Sequence, residues 1–296
     1  MHPYRKIIIL GAPRSGTNML RDVLCSLNGV STWPCDEINY IWRHGNVRYP
    51  SDEIPAFRAI EKVKLYIRNQ FDWVARHNKS HTVVEKTCAN SLRVPFVDRV
   101  VPDAKYVFIY RDGVDVTGSA RIRWTAGLNV RYLLEKVRFV PAADIPYYGL
   151  RYFWSQTYRL FSRQGRVASW GPRFDGLEEL LATHSLNEVC ALQWQRCVDK
   201  AEEDLSHISA DRVVRVRYES FVEHPEVELS RILSALGVRA DSSEISAAVA
   251  DVSSDSVGKG RNALSLSEMA TLESLIGTTM ERLGYGQSGD KDTPLV

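Results

Sequence analysis

No apolar run in the 296 residues approaches the ~18 needed to cross a bilayer. The longest early one, Ile7 to Leu10, also lacks the apolar core and cleavage site of a secretory leader, so a cytoplasmic chain with no integral membrane segment is expected. Charge of neither sign is in excess: 38 Lys and Arg against 36 Asp and Glu leave a formal +2. That excludes the overall basic field of a dedicated nucleic-acid binder and requires any anion site to be local. Cysteine is scarce and scattered (Cys25, Cys35, Cys88, Cys190, Cys197), with no CxxC and no short Cys/His cluster, which argues against a disulfide framework and a zinc site. Cys190 and Cys197, seven apart in a helical stretch, read as thiols packed on one helix face. No internal repeat is present.

What is there is ordinary globular material, 44% hydrophobic and 25% charged, in a length that suits one large or two small domains at ~100–200 residues each. Arg5 to Leu10 is a β-branched run that leads directly into a glycine loop, then into a helical pattern with Met19, Leu20, Val23, Leu24 and Leu27 on one face. Further buried strands are expected at Thr82 to Val84, Lys105 to Tyr110 and Arg212 to Tyr218, each separated by enough chain for a helical crossover. That alternation predicts an α/β fold, a three-layer sandwich with a central parallel sheet flanked by helices. Residues 121–173 stand out, with ten basic residues against Glu135 and Asp144 and dense aromatics. Without strand alternation of their own they read as an insertion over the sheet. An amphipathic helix is expected from Leu186 to Ala201, and the polar residues 287–296 read as a disordered tail after one domain spanning 1–286.

The glycine loop is Gly11-Ala12-Pro13-Arg14-Ser15-Gly16-Thr17-Asn18. Between a strand and a helix it gathers backbone N–H groups and a helix N-terminus, an arrangement that holds phosphate. In the ATP-binding version, GxxxxGK[ST], a Lys reaches the transferred phosphates and a hydroxyl holds Mg²⁺; here Thr17 and Asn18 occupy those places, which disfavours a Mg-nucleotide triphosphatase. The cation is instead Arg14, whose guanidinium fork suits two phosphate oxygens. A second element supports an anion site. Arg111 ends a strand, where ligands of open α/β sheets bind, and Ser119 and Arg123, four apart, share a helix face beyond it.

The loop PRSGT (Pro13 to Thr17), the pattern RDxxDVxxS (Arg111 to Ser119), Glu-Lys-Thr at Glu85 to Thr87, VRYESF at Val216 to Phe221 and Leu-Gly-Tyr at Leu283 to Tyr285 together resemble the sulfotransferases that use 3′-phosphoadenosine 5′-phosphosulfate (PAPS). The branch most similar includes tyrosylprotein sulfotransferases and bacterial enzymes that sulfate glycans, lipids or small natural products. The resemblance implies a P-loop-type fold and the roles that follow. Arg14, Ser15, Gly16, Thr17 and Asn18 would hold the 5′-phosphosulfate; Arg111, Ser119 and Arg123 would hold the 3′-phosphate. Lys86 would stabilise the oxygen that becomes negative as the S–O bond breaks, although Cys88 stands where the family usually has Pro. Gly258-Lys259-Gly260-Arg261 would close over the nucleotide, and Tyr218 would stack near it, a packed tyrosine being the plainer alternative.

An acceptor hydroxyl has to lose its proton as it attacks sulfur. Glu37, 23 residues after Arg14, is the preferred base, with Asp36, a possible capping residue, its neighbour and rival. In other branches of the family a His is the base, and His44, His77 and His81 are the competing candidates nearest in sequence, none of them on a family motif. Arg14, Lys86 and Glu37 are thus the expected catalytic set. PAPS is the expected co-substrate, with PAP its product and no metal, and the acceptor is expected to be a glycan, glycolipid or natural-product hydroxyl met by the basic, aromatic insertion. A homodimer is compatible with this reading. An atypical P-loop small-molecule kinase and a non-catalytic PAPS- or PAP-binding protein are the alternatives.

Overall fold

The structure, a computed structural model, describes residues 3–125, 140–150 and 170–286. Strands β1 (Arg5–Leu10), β2 (Val30–Ser31), β3 (Thr82–Lys86), β4 (Lys105–Tyr110) and β5 (Val213–Arg217) form one parallel sheet in the order β2-β3-β1-β4-β5. Helices along the described chain include α1 (Thr17–Cys25), α2 (Asn39–Trp42), α3 (Glu61–His77), α4 (Val94–Val100), α5 (Gly113–Thr125), α6 (Leu177–Thr183), α7 (Leu186–Leu205), α8 (Tyr218–Glu223), α9 (Pro225–Leu236), α10 (Ser242–Ala248) and α11 (Leu266–Arg282). β1 and β4 fall where the hydrophobic runs place them, β3 continues two residues further to Lys86, and the two-residue β2 is too short to leave a pattern.

Side chains alternate across a strand, and both faces of this sheet are covered, which explains the nearly unbroken apolar runs of β1 and β4. Ile7, Ile9, Val84, Val107, Ile109 and Val216 point to one face, where Leu20 and Leu24 of α1 and Leu229 and Ile232 of α9 complete a core. Ile8, Leu10, Val83, Tyr106 and Phe108 point to the other, against Phe71 of α3, Val97 of α4, Trp124 of α5, Trp194 of α7 and Ile276 of α11. This is the three-layer sandwich expected from the sequence. Local chemistry fixes helix ends: Ser185 with Glu188 and Ser265 with Glu268 form capping boxes at α7 and α11, and α9 stops at Gly237, φ 68°.

Because all strands are parallel, the carboxyl ends of β1, β3, β4 and β5 open on the same edge of the sheet. The chain leaves β1 for β2 and β3 on one side, then crosses to β4 and β5 on the other, so the reversal lies at β1, directly before the glycine loop. Of the basic insertion, Arg121 and Arg123 prove to be on the last turns of α5, and residues 140–150 and 170–173 are described. Arg131, Glu135, Lys136, Arg138, Arg151, Arg159, Arg163, Arg166 and the tail 287–296 lie outside the described residues. No helix among the described residues is long and apolar enough to cross a membrane.

Candidate active site

The loop after β1 is held by Ser91 at one end and Tyr218 at the other. The Gly11 N–H donates to Ser91 Oγ at 2.8 Å. Arg14 adopts φ 72°, uncommon for a residue with a Cβ and a mark of a constrained loop. Gly16, φ 88°, passes so close to Tyr218 that a Cβ would lie 2.8 Å from the ring carbon Cε2, so this position requires glycine on two counts. Within this frame Ser15 is fully buried and its hydroxyl makes no hydrogen bond among the described residues. Thr17 is turned toward Cys88, Oγ1 to Sγ 3.6 Å, and Asn18 is exposed on the first turn of α1.

Arg14 Nε donates to Ser119 Oγ at 2.9 Å, which brings the first loop and α5 together across 105 residues of sequence. Removal from water, then the like charges of Arg123 and Arg111, lower the Arg14 pKa. Arg14 and Arg123 make no ion pair among the described residues; Arg111 does, with Asp115. Arg111 is otherwise well engaged: its Nη1 donates to the Arg14 carbonyl at 3.3 Å and its guanidinium lies 4.3 Å from the Tyr218 ring centroid. Three positive charges, those of Arg14, Arg111 and Arg123, thus lie near one another at the carboxyl edge of the sheet. A polyanion is the natural complement of that field.

The catalytic candidates meet beside it. Lys86, 3% exposed at the end of β3, places Nζ 3.1 Å from Glu37 Oε1 and 3.2 Å from Asp36 Oδ1. Burial alone would lower the Lys86 pKa; the charges of Glu37 and Asp36, with the adjacent Cys88 thiol, outweigh it and raise it. Asp36 also accepts from Arg21 Nη1 at 2.9 Å. Its carboxyl, against the upward push of burial, is held down at about 2 by Lys86 and Arg21. Glu37 accepts a further hydrogen bond from the Cys88 N–H at 3.3 Å, a donor that proline at this position would lack.

Charges buried beneath the site fix these groups. Glu85, fully buried one residue before Lys86, accepts from Thr87 Oγ1 at 2.5 Å and Asn90 Nδ2 at 2.9 Å. Burial pushes its carboxyl up to about 7, opposed by Thr87, Trp42, Arg93 and Lys86. Thr87 Oγ1 in turn accepts the Ile38 N–H at 3.2 Å, next to Glu37. Arg93, fully buried, reaches Asn90 Oδ1 at 2.9 Å and Asn39 Oδ1 at 2.6 Å, while Arg43 and Arg93 share Asp52 at 2.8 and 3.4 Å. Sequence reading missed this network: a charged residue carries no local sign that the fold will bury it.

The other predicted residues are placed as follows. Tyr218 is buried between Gly16 and Arg111. Lys259 is exposed, and Arg261 pairs with Asp112 at 3.0 Å and Glu273 at 2.8 Å. His81 bonds Thr82 Oγ1 at the start of β3, at the opposite end of that strand from Lys86, and His77 stacks on Trp73 before it. His44 bonds Asp144 Oδ2 at 2.8 Å. Tyr40 packs edge-on against Tyr148 at 4.6 Å, with Tyr147 beside Tyr148 at 5.4 Å, so residues 140–150 bring aromatic rings close to the Glu37 segment. Asp115 was also missed as a separate element, although its i,i+4 spacing from Arg111 was a signal. Among the described residues no cluster of His, Cys, Asp or Glu gathers as a metal site.

The sequence pattern of the sulfotransferase family matches residues 63–167 and 151–242. No curated protein matches the chain. Three solved structures share the fold at low identity. The sulfotransferase domain of the Synechococcus PCC 7002 olefin synthase is 16% identical over 99% of this chain and 96% of its own, with TM-score 0.53. A sulfotransferase from Alicyclobacillus acidocaldarius is 17% identical over 96% and 94%, TM-score 0.51. A mouse sulfotransferase complexed with PAP is 14% identical over 96% and 86%, TM-score 0.53. The family pattern spans more than half of the chain and includes both Lys86 at the end of β3 and the Arg111 to Ser119 segment, and on that match the chain belongs to the sulfotransferase family.

Proposed function

We propose that the sulfuryl donor of this sulfotransferase is PAPS, with its 5′-phosphosulfate on the Gly11–Gly16 loop and its 3′-phosphate at Arg111, Ser119 and Arg123. The acceptor would be a hydroxyl of a glycan, glycolipid or natural product. The grouping of Arg14 with Ser119 by a hydrogen bond, with Arg111 through its own carbonyl and with the nearby charge of Arg123 carries this reading, since it supplies cations for a second phosphate beside the loop. The buried Ser15 hydroxyl, without a partner among the described residues, is a donor that a phosphate oxygen would satisfy. PAP in the mouse sulfotransferase of the same fold supports the choice of nucleotide.

When bound, the donor supplies the electrophilic sulfur and a phosphate leaving group. Lys86 holds a positive charge where the leaving oxygen gains its negative one, a charge that buried surroundings strengthen. Glu37 accepts the acceptor's O–H proton; Asp36, tied to Arg21 as well as Lys86 and held at about 2, is the weaker base and a positioner of Lys86. Tyr40, Tyr147 and Tyr148 supply ring faces of the kind that stack on sugars, which favours a glycan-bearing acceptor.

Thermal unfolding with PAP, ATP and Mg-ATP tests the donor. PAP at about 100 times its Kd is expected to stabilise the fold by ~2.7 kcal/mol, with or without EDTA. A shift with Mg-ATP that EDTA abolishes, and none with PAP, would replace this reading with a kinase.

A further inference from the structure

The five-donor environment of Asp115 has no part in the chemistry above. Its side chain is 3% exposed on the first turn of α5. Oδ2 accepts from Arg111 Nε at 2.9 Å, from Arg111 Nη2, and from the Gly258 N–H at 3.2 Å; Oδ1 accepts from the Gly260 N–H at 2.6 Å and the Arg261 N–H at 3.1 Å. A segment that arrives more than 140 residues later is thereby fastened to the strand-end arginine. Two further contacts agree. Arg111 Nη2 also donates to the Ser256 carbonyl. At Gly118 and Gly260 the backbones touch: a Cβ on Gly118 would come 2.8 Å from Gly260 Cα, and one on Gly260 would lie 2.9 Å from Asp115 Oδ1 while overlapping the Asp115 carbonyl.

We propose that Asp115 is a positioning residue: its carboxylate docks residues 256–261 as a strap across the start of α5 and fixes the Arg111 guanidinium, so that affinity for a 3′-phosphate depends on a side chain that does not touch it. An uncharged amide cannot do the same. In Asp115→Asn the new N–H₂ would face backbone N–H groups, and Arg111 would lose its buried counter-charge. Its nucleotide half rests on the PAPS reading; the docking does not.

Amide hydrogen exchange on the ligand-free protein reads the docking, and comparison of PAP with adenosine 5′-phosphosulfate, which lacks the 3′-phosphate, reads its consequence. Asp115→Asn is expected to speed exchange at Gly258, Gly260 and Arg261 by about tenfold or more, for lost hydrogen bonds to a charge. It should weaken PAP by about tenfold or more while leaving adenosine 5′-phosphosulfate within about twofold. Gly260→Ala, which breaks the same contact from the strap side, should repeat both effects and serves if Asp115→Asn does not fold. Unchanged exchange overturns the proposal. So does tighter PAP binding, which would mean that Asp115 competes with phosphate for these donors. Failure of the wild-type protein to bind PAP would remove the donor reading, while the exchange data would still decide the docking.

Discussion

At the scale of single residues, the site separates two adjacent carboxylates by their partners. Asp36 answers to two cations, Arg21 and Lys86; Glu37 shares Lys86 and takes the Cys88 N–H. The first arrangement ties a carboxylate down, whereas the second orients one beside the cation that serves the leaving group. Glu37→Gln keeps the shape but cannot take the proton, so kcat is expected to fall ~10²–10⁴-fold with PAP affinity unchanged. Asp36→Asn should stay within about tenfold, because it only loosens Lys86. Steady-state turnover with any accepted hydroxyl decides, and a dead Asp36→Asn beside an active Glu37→Gln would exchange the two roles.

Among the elements, β3 is the one whose charge pattern has a thermodynamic signature. All five of its residues are buried, including Glu85 and Lys86. The carboxyl of Glu85, raised to about 7, binds its proton more tightly in the folded than in the unfolded chain. Its contribution to stability is fully present below the unfolded value of ~4.3 and is lost as pH rises through about 7. Asp36 runs the other way: its depressed carboxyl contributes above ~3.9 and loses that contribution as pH falls toward about 2. Glu85→Gln should therefore flatten the decline of Tm between pH ~4.3 and ~7 and leave the variant more stable than wild type at pH 8, by on the order of 3 kcal/mol. Parallel Tm profiles for the two proteins would show that Glu85 is already ionised across that range.

For the whole molecule, stability and site geometry share one packing. Trp194 of α7 is 1% exposed, packs where Gly113 opens α5 (a Cβ there would be 2.7 Å from its ring), and donates Nε1–H to the Arg111 carbonyl at 3.1 Å. The helix face of the core thus ends directly under the strand-end arginine. Trp194→Ala removes a large side chain from a close-packed interior and leaves the Arg111 carbonyl without this donor. A loss of ~3–5 kcal/mol in urea unfolding is expected. A loss under ~1 kcal/mol would mean that α7 repacks around the cavity.

The glycine loop, the Arg111–Ser119–Arg123 spacing, β1 and β4, and the amphipathic helix that starts at Leu186 were legible in the sequence because each is a local arrangement: hydrophobic period, turn chemistry and i,i+4 spacing act between neighbours along the chain. The sequence also marked Glu37 and Lys86 as candidates, through residue type and resemblance. Tertiary structure alone decided what surrounds them. That Asp36 has two cations, that Cys88 lends an N–H where a proline would not, that Glu85 is buried on the amide of Asn90, and that Asp115 fastens a strap from the far end of the chain all depend on contacts between residues separated by as many as 146 positions. Such contacts are set by how two helical layers close on one sheet, and no local pattern of residues encodes that closure.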